Sequence, residues 1–155
     1  MALETVLADL KTKVGVETHV SDWMQIDQDR INRFADATED HQWIHVDVEK
    51  AKNESPYGTT IAHGFLTLSL LPMLAREEAG DKPRYPGVKM GVNYGLNKVR
   101  FPAPVKVDAR IRARVTLQEV SEVTGGLQLV RVVTMEVEGS DKPCCVAEAI
   151  SRLYF

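Results

Sequence analysis

The first half of the chain shows helical periodicity interrupted by short polar segments. Apolar residues recur at i, i+3, i+4 and i+7 near the start, which predicts an amphipathic helix ending near Gly15: Leu3, Val6, Leu7 and Leu10. Residues 18–26 are typical of a short strand. Asp27 is placed to cap a second helix, whose apolar side comprises Ile31, Phe34, Ala35 and Thr38. Asp47 is placed to cap a third, shorter helix over residues 48–53.

A strongly apolar segment lies in the middle of the chain, after a turn-rich loop over residues 55–64. It predicts a helix from about Gly64 to Glu78 that is apolar around much of its circumference, as is typical of a buried helix. Pro72 is expected to kink this helix, because proline lacks an N–H and its ring clashes with the preceding turn. Residues 79–87 form the next predicted loop.

The second half of the chain has the period of β-strands. Four strands are predicted: residues 88–101, 105–117, 127–139 and 144–155. In the first of them, Gly91 and Gly95 indicate bulges or points of close approach. In the second, apolar residues occupy every odd position and polar residues every even position, so this strand is expected to be half-buried. A turn at residues 122–126 reverses the chain after it.

One buried helix followed by a run of long antiparallel strands predicts an α+β architecture. The natural packing wraps a curved sheet around the helix, which is the arrangement of the hot-dog fold. A ferredoxin-like sandwich and a cystatin-like helix on a sheet are the alternatives. With 155 residues and no linker rich in Gly, Ser or Pro, the chain is expected to form a single domain over residues 1–155.

Composition narrows the functional classes. The net charge of -3 argues against nucleic acid as a main partner. No apolar run is long enough to span a bilayer, and the N-terminus lacks the pattern of a signal peptide, so a cytoplasmic protein without a membrane partner is expected. The two cysteines, Cys144 and Cys145, are adjacent, and a disulfide between them would be strained, so both are expected to be free thiols.

The polar segment at residues 37–47 is a candidate site for chemistry. Asp40 and His45 lie five residues apart, and a carboxylate and a neutral imidazole can together hold a water and move its protons. The alternative is an Asp that ends a helix and a His bonded to the backbone, and spacing alone favours this alternative. A metal site is not expected, because His41, His45 and Asp47 match no standard zinc spacing.

A second candidate lies at the start of the apolar helix. His63 precedes Gly64, and a glycine in the first turn leaves N–H groups unobstructed at the positive end of the helix dipole. That arrangement suits an oxyanion such as the oxygen of a thioester enolate. A plain junction where glycine eases the turn is an equally good interpretation.

Other polar residues have simpler interpretations. An arginine stripe on the alternating strand is expected to pair across strands with acids such as Glu136, Glu138 or Glu148 rather than to bind phosphates: Arg110, Arg112 and Arg114. The Ser69 hydroxyl is expected to bond to the preceding helical turn. His19 falls in a predicted edge strand and is expected at the surface.

Residues 34–74 and 93–105 resemble the MaoC-like (R)-specific enoyl-CoA hydratases, and most of all their nodulation-protein-N-like branch. That family has an Asp, four intervening residues and a His, and later a His-Gly pair before the central helix. The matching residues here are Asp40, His45, His63 and Gly64. Glu39 is a departure, since the broader family often has glycine there; a glycine favours positive φ, and Glu39 adds a negative charge beside Asp40.

The resemblance implies a hot-dog homodimer in which two sheets join edge to edge. It implies reversible hydration of a trans-2-enoyl thioester to an (R)-3-hydroxyacyl thioester, without a metal or redox cofactor. Asp40 and His45 would hold the water, and the Gly64 N–H would stabilise the thioester oxygen. Coenzyme A or acyl carrier protein would be the substrate's handle, as in fatty acid metabolism. Further residues are candidates for substrate contact: Trp43, Tyr57, His63, Phe65, Tyr94, Asn97 and Arg100.

Two other functions remain as alternatives. A hot-dog thioesterase would use a carboxylate and the helix N-terminus to hydrolyse the thioester. A catalytically inactive module would bind acyl thioesters without turnover. The Asp40–His45 pair argues against the second, because a pure binder has no chemical need for both residues.

Overall fold

A computed structural model describes residues 1–76 and 84–155, and in this part of the chain six helical segments and six strands form. The helices are α1 Ala2–Thr12, α2 Gln28–Thr38, α3 Trp43–Val46, α4 Val48–Glu54, α5 Gly64–Ser69 and α6 Leu71–Leu74. The strands are β1 Glu17–Val20, β2 Met24–Gln25, β3 Met90–Arg100, β4 Arg110–Val123, β5 Gly126–Val137 and β6 Cys145–Tyr154. Among these described helices, none has both the length and the apolar character needed to cross a membrane.

The strands form one antiparallel sheet in the order β1-β4-β5-β6-β3, and β2 also pairs with β4. The predicted turn between β4 and β5 is confirmed, since Val123 pairs with Gly126 and Gly125 takes the positive φ of 78° that a tight turn needs. The long strands and the helix packed on them confirm the predicted α+β hot-dog fold. Strand β3 lies at one edge of the sheet.

The inner face of the sheet is the face that packs against α5 and α6. Leu66, Leu70 and Leu74 of this helical segment are buried in one cluster with inward-facing strand residues: Ile111, Ala113, Val115, Val133, Met135 and Ala147. A second cluster lies further along the same face, where α1 covers Leu117, Leu127 and Leu129. Burial of these side chains is the main stabilising term, about 1.5–3 kcal/mol for each large aliphatic residue.

The prediction of one continuous helix from Gly64 to Glu78 is wrong in detail. The helix is interrupted at Leu70, whose N–H is shared between the carbonyls of Leu66 and Thr67 at 3.2 Å each, and α6 ends at Leu74. Pro72 accounts for the break, because it lacks the N–H of a regular helix. The predicted end at Glu78 lies outside the described residues. Nor is the whole circumference buried, since Phe65 is 70% exposed.

Two strand predictions also need correction. The strand expected over residues 105–117 begins only at Arg110, because Asp108 takes a positive φ of 68° and Lys106 forms an isolated bridge with Ile61 instead. Residues 18–26 form two short strands, β1 and β2, rather than one. The irregularity expected at Gly95 is present, whereas Gly91 pairs regularly with Leu153.

The outer face of the sheet carries the arginine stripe. Arg110 is paired with Glu138 at 3.2 Å, Arg112 with Glu136 at 2.6 Å, and Arg114 with Glu17 at 3.0 Å, so the predicted cross-strand pairing is confirmed. The Ser69 hydroxyl donates to the Leu66 carbonyl, as expected. His19 is half-buried rather than fully exposed, and its ring lies 3.1 Å from the Leu74 carbonyl oxygen.

Candidate active site

The loop that carries the candidate acid begins where α2 ends. Glu39 is the C-cap of this helix and adopts the left-handed conformation, with φ 60° and ψ 24°. The backbone therefore has the positive φ that glycine favours, and here a glutamate adopts it, with its side chain exposed. The next residue is Asp40, which is also exposed. The left-handed turn directs the chain from α2 towards α3.

His45 lies in α3 and is buried, with 7% of its surface exposed. Its Nδ1 lies 2.7 Å from the Ile61 carbonyl oxygen, and because a carbonyl oxygen only accepts, Nδ1 carries the hydrogen. In the neutral ring, Nε2 is then a hydrogen-bond acceptor. Burial lowers the pKa of His45, and its electrostatic interaction with His63 lowers the pKa further, against the raising effects of the Ile61 bond and Asp40. The imidazole is therefore neutral at neutral pH.

His63 holds the two parts of the site together. Its Nε2 donates to the backbone carbonyl of Asp40 at 2.9 Å, and its ring stacks on His45 with centroids 3.8 Å apart. On its other side the ring contacts Phe34, at 4.9 Å between centroids. Only 2% of His63 is exposed, and its Nδ1 has no hydrogen-bond partner within residues 1–76 and 84–155.

These contacts gather Asp40, His45 and His63 into one cluster. Ligand atoms of the three side chains all lie within 4.8 Å of one another. His45 Nδ1 and His63 Nε2 are each bonded to a backbone carbonyl oxygen, so one nitrogen of each ring remains for another partner. The cluster can therefore hold a water between a carboxylate and a neutral imidazole.

The other polar residues of the loop have different partners. His41 is paired with Asp36 at 2.8 Å on the surface, and Asp47 caps α4 by accepting from the Lys50 N–H at 3.0 Å. The structure thus separates the His41, His45 and Asp47 set that was considered for a metal. It also confirms Asp47 as a helix cap.

Gly64 is the first residue of α5, and its N–H has no acceptor within the helix. A Cβ atom at this position would lie 3.0 Å from the Phe101 ring, so close packing against Phe101 requires the small residue. His63, the N-cap, brings the start of α5 next to His45 and Asp40. An N–H donor therefore lies at the helix start that adjoins the cluster of Asp40, His45 and His63.

The chain resembles known proteins over most of its length. Residues 9–139 match the MaoC like domain family. The chain belongs to the MaoC-like domain family. It is 54% identical over 147 residues to 3-hydroxyacyl-thioester dehydratase Z of Mycobacterium tuberculosis, covering 94% of each chain. It is 45% identical over 154 residues to Nodulation protein N of Rhizobium leguminosarum bv. viciae, covering 98% of this chain and 93% of that protein.

Solved structures show the same fold. A MaoC-like dehydratase from Rhodospirillum rubrum matches with a TM-score of 0.71 at 16% identity, over 91% of this chain and 92% of that chain. The R-hydratase PhaJ1 from Pseudomonas aeruginosa matches with a TM-score of 0.65 at 22% identity, over 89% of this chain and 79% of that chain. These likenesses establish the MaoC-like hot-dog fold for the chain.

Two polar residues of this MaoC-like site were not predicted from the sequence. The Gln28 side-chain amide donates to the His45 carbonyl at 2.8 Å, and its oxygen accepts from the Thr60 hydroxyl at 2.5 Å. Thr60 is completely buried, so this network ties the start of α2 to α3 and to the loop before α5. The only signal in the sequence was the position of Gln28 directly after the capping Asp27.

The candidate substrate contacts fall into two groups. Near the cluster, Trp43 is half-buried with the Lys50 ammonium 4.7 Å from its ring centroid, and Phe65 meets the Phe101 ring edge-on at 6.1 Å. Tyr57 is 39% exposed on the loop after α4. His63 contacts His45, as described above. Of these side chains, Phe65 and Tyr57 carry exposed apolar surface, whereas His63 is buried.

The second group lies on the edge strand β3. Tyr94 is exposed and has the Arg152 guanidinium 3.5 Å from its ring centroid. Asn97 is exposed, and Arg100 donates to its own neighbour, the Val99 carbonyl. In the described part of the chain, no hydrogen bond or ring contact joins these three residues to the Asp40–His45–His63 cluster.

The two cysteines are free and buried. Burial raises the pKa of Cys144 to about 12 and that of Cys145 to about 11. Both are therefore protonated thiols at neutral pH, and neither provides a thiolate nucleophile.

Proposed function

We propose that the chain is a hydro-lyase that reversibly adds water to a trans-2-enoyl thioester and forms an (R)-3-hydroxyacyl thioester. The observation that carries this proposal is the cluster of Asp40, His45 and His63, whose ligand atoms lie within 4.8 Å of one another. The name of the Mycobacterium tuberculosis relative, 3-hydroxyacyl-thioester dehydratase Z, supports it.

The acid–base step uses the water held by Asp40 and His45. Its oxygen attacks C3 of the enoyl group, one of the two side chains accepts the water proton, and a proton is delivered to C2 from the same face. The neutral state of His45, with Nδ1 bonded to Ile61, makes its Nε2 an acceptor for the water. Such acid–base assistance is worth roughly 10²–10⁴ in rate.

The thioester oxygen becomes negatively charged as C3 is attacked. The N–H of Gly64 is proposed to donate to this oxygen, because it is the first N–H of α5 and has no acceptor in the helix. One such donor is worth about 10²–10³ in rate. Coenzyme A or acyl carrier protein is the proposed handle of the substrate.

No redox cofactor is proposed, because the addition of water to the double bond neither oxidises nor reduces the substrate overall. No metal is proposed either, because Asp40 and His45 supply the acid–base groups and the Gly64 N–H supplies the donor to the thioester oxygen. Activity that survives dialysis against a chelator would support the absence of a metal. A loss of activity that zinc or magnesium restores would contradict it.

A cytoplasmic location is also proposed, and fractionation of cells that express the protein tests it.

The first prediction concerns the acid–base pair. Asp40→Asn and His45→Gln are each expected to fold and to lose nearly all activity towards crotonyl-CoA, measured as loss of the enoyl absorbance. His41→Gln is the matched control, because His41 is paired with Asp36 at the surface and is expected to keep activity. Wild-type turnover in Asp40→Asn or His45→Gln would contradict the proposal.

The same assay separates hydration from hydrolysis. A thiol reagent in the mixture reports free coenzyme A, which a thioesterase releases and a hydratase does not. Loss of enoyl absorbance without free thiol is the expected result. Release of thiol at the rate of substrate loss would instead identify a thioesterase.

A homodimer joined through β3 is proposed as the assembled form. This strand lies at the sheet edge and exposes a row of apolar side chains: Met90 (55%), Val92 (40%), Tyr94 (57%) and Leu96 (45%). An unpaired edge strand with apolar side chains is a natural site for pairing with another strand. Pairing two β3 strands would extend both sheets into one.

A further inference from the structure

A cavity of about 720 Å³ lies between the helical segment α5–α6 and the inner face of the sheet. Its walls are mostly apolar, with Leu68, Leu71 and Ala75 on the helix side and Val88, Leu96 and Val133 on the sheet side. Asp40 and His45 are not among the residues that line it. A volume of this size suits a small organic ligand or a substantial part of one.

One arginine projects from the inner face of the sheet into this cavity. Arg131 lies on β5 between Leu129 and Val133, and both of these neighbours are completely buried. Side chains at i and i+2 of a strand point to the same face, so Arg131 shares the face that forms the core. Its register partners on the adjacent strands are Leu117 and Ala149.

The hydrogen bonds of Arg131 leave its charge without a counter-charge. Its guanidinium donates to the Ser151 hydroxyl at 3.1 Å and to the Tyr85 hydroxyl at 3.2 Å, and both partners are neutral. Within the described ranges it has no carboxylate partner, in contrast to Arg110, which is paired with Glu138 on the outer face. A guanidinium has five N–H donors, so two hydroxyl acceptors satisfy only part of its capacity.

The described lining of the cavity contains no Asp or Glu that faces Arg131, and Arg76 is among the other lining residues. A partly buried cation surrounded by apolar walls favours an anion as its ligand, because removal of the charge from water is compensated only by an opposite charge or by hydrogen bonds. A carboxylate matches the planar, two-pronged geometry of a guanidinium.

We propose that this cavity binds the acyl group of the thioester substrate and that Arg131 binds a carboxylate at the far end of that group. This inference rests on the proposed function for the identity of the thioester. Leu68 lies four residues beyond Gly64 within α5, so at the helical rise the cavity begins roughly 6 Å along the helix from the proposed oxyanion site. The preferred substrates are therefore monothioesters of dicarboxylic acids with several carbons between the two ends.

A purely structural role for Arg131 makes a different prediction. Its bonds to Ser151 and Tyr85 also connect the segment around Tyr85 to the sheet. If that were its only role, loss of Arg131 would lower the stability of the protein and weaken the binding of all acyl thioesters to the same extent. A selective loss of affinity for carboxylate-ended ligands distinguishes ligand binding from this role.

The kinetic test uses pairs of trans-2-enoyl-CoAs of equal chain length, one ending in methyl and the other in carboxylate. Wild-type protein is expected to have the higher kcat/KM for the carboxylate at its best length. Arg131→Leu should lower that value on the order of 10- to 100-fold and leave the methyl substrate unaffected. Arg131→Lys keeps the charge, so its kcat/KM for the carboxylate substrate should fall less. The outer-face control Arg110→Leu should keep the wild-type kcat/KM for both substrates.

A binding test keeps the outcome independent of catalysis. Calorimetry with saturated acyl-CoAs, ending in methyl or in carboxylate, measures affinity for ligands that have no double bond to hydrate. The protein could bind the carboxylate-ended ligand more tightly, in a way that depends on Arg131, and yet hydrate no enoyl-CoA. That result would support the cavity assignment and contradict the proposed function. Thermal denaturation checks folding, and Arg131→Lys decides the question if Arg131→Leu does not fold.

Three results would overturn the inference. The first is a wild-type preference for the methyl-ended ligand at every length. The second is an equal loss of affinity for the methyl-ended and the carboxylate-ended ligand in Arg131→Leu or Arg131→Lys. The third is tighter binding of a chain that ends in a hydroxyl than of the carboxylate-ended chain, because it would identify a neutral ligand for Arg131.

Discussion

At the level of single residues, the candidate site depends on hydrogen bonds that set the state of two histidines. His45 uses Nδ1 to bond Ile61, and His63 uses Nε2 to bond Asp40. Each bond is made to a carbonyl oxygen, so each decides which ring nitrogen carries the hydrogen. The proposed chemistry therefore depends on the backbone positions of residues 40 and 61 as much as on the side chains.

The buried state of His45 predicts a pH dependence of stability. Burial lowers its pKa from the ordinary value of 6.5, so between the two pKa values the unfolded chain binds a proton that the folded chain does not. This contribution to stability is complete above about pH 6.5 and is lost as the pH falls below it. The free energy of unfolding is expected to fall from about pH 7.5 to about pH 5.5, as measured by denaturant titration.

His45→Gln provides the comparison for this experiment, since glutamine has no titrating group. Its free energy of unfolding is expected to fall less than that of the wild type over the same pH range. The interpretation would be wrong if both proteins lost the same amount, since the loss would then come from other groups.

Gly64 allows a test of close packing at the proposed oxyanion site. In Gly64→Ala the new Cβ would lie 3.0 Å from the Phe101 ring, so either the ring or the start of α5 must shift. A displaced donor is expected to lower kcat by about 10- to 100-fold while the protein stays folded. Steady-state kinetics with an enoyl-CoA measure the effect.

In the double variant Gly64→Ala/Phe101→Leu, leucine replaces the phenyl ring and makes room for the added methyl group. This variant should therefore recover part of the kcat that Gly64→Ala loses. Phe101→Leu alone is the control. A double variant no faster than Gly64→Ala would argue that packing against Phe101 is not the cause.

At the level of elements, the ends of helices position the site. The left-handed C-cap of α2 leads into the Asp40 loop, Gln28 in the first turn of α2 bonds the His45 carbonyl, and α5 begins at Gly64. The short α3 carries His45 between these helix ends. Both ends of α2 and the start of α5 thus contribute groups to the site: the C-cap leads into Asp40, Gln28 holds the His45 carbonyl, and Gly64 presents its N–H.

Glu39→Gly tests the strain in the α2 cap. A non-glycine residue at φ 60° is disfavoured by roughly 1–2 kcal/mol, and the greater entropy of unfolded glycine offsets part of that amount. The substitution is expected to raise the free energy of unfolding by up to about 1 kcal/mol. Denaturant titration gives the value. Glu39→Ala removes the charge but keeps the strained backbone, so it should not be stabilised; equal stability of the two variants would contradict this account.

At the level of the whole molecule, the sheet has one long apolar edge. Light scattering is expected to give the mass of a dimer for the wild-type chain, and a monomer for the double variant Val92→Lys/Tyr94→Lys, because charges on an edge strand oppose pairing. Val20→Lys is the matched control, since Val20 is an exposed valine on the opposite edge strand β1. A monomeric wild-type chain, or a dimer that survives the double variant, would contradict pairing through β3.

Much of the fold follows from local patterns. The caps at Asp27 and Asp47 and the tight turn before β5 are confirmed because each depends on residues close in sequence. The family is confirmed as well, since the motif that joins Asp40, His45, His63 and Gly64 is readable from the chain alone. The continuous central helix and the early start of β4 were wrong, because Pro72 and the positive φ of Asp108 override the hydrophobic pattern.

The sequence by itself determined the types of element, the family and the candidate acid–base residues, since periodicity, capping and motif spacing are local properties. Only the tertiary structure decided which groups meet. It stacked His63 on His45, brought Gln28 and Thr60 to the same network, and turned Arg131 inward between two buried residues. These contacts join residues distant in the chain, and strand register and helix packing, which no single segment encodes, bring them together.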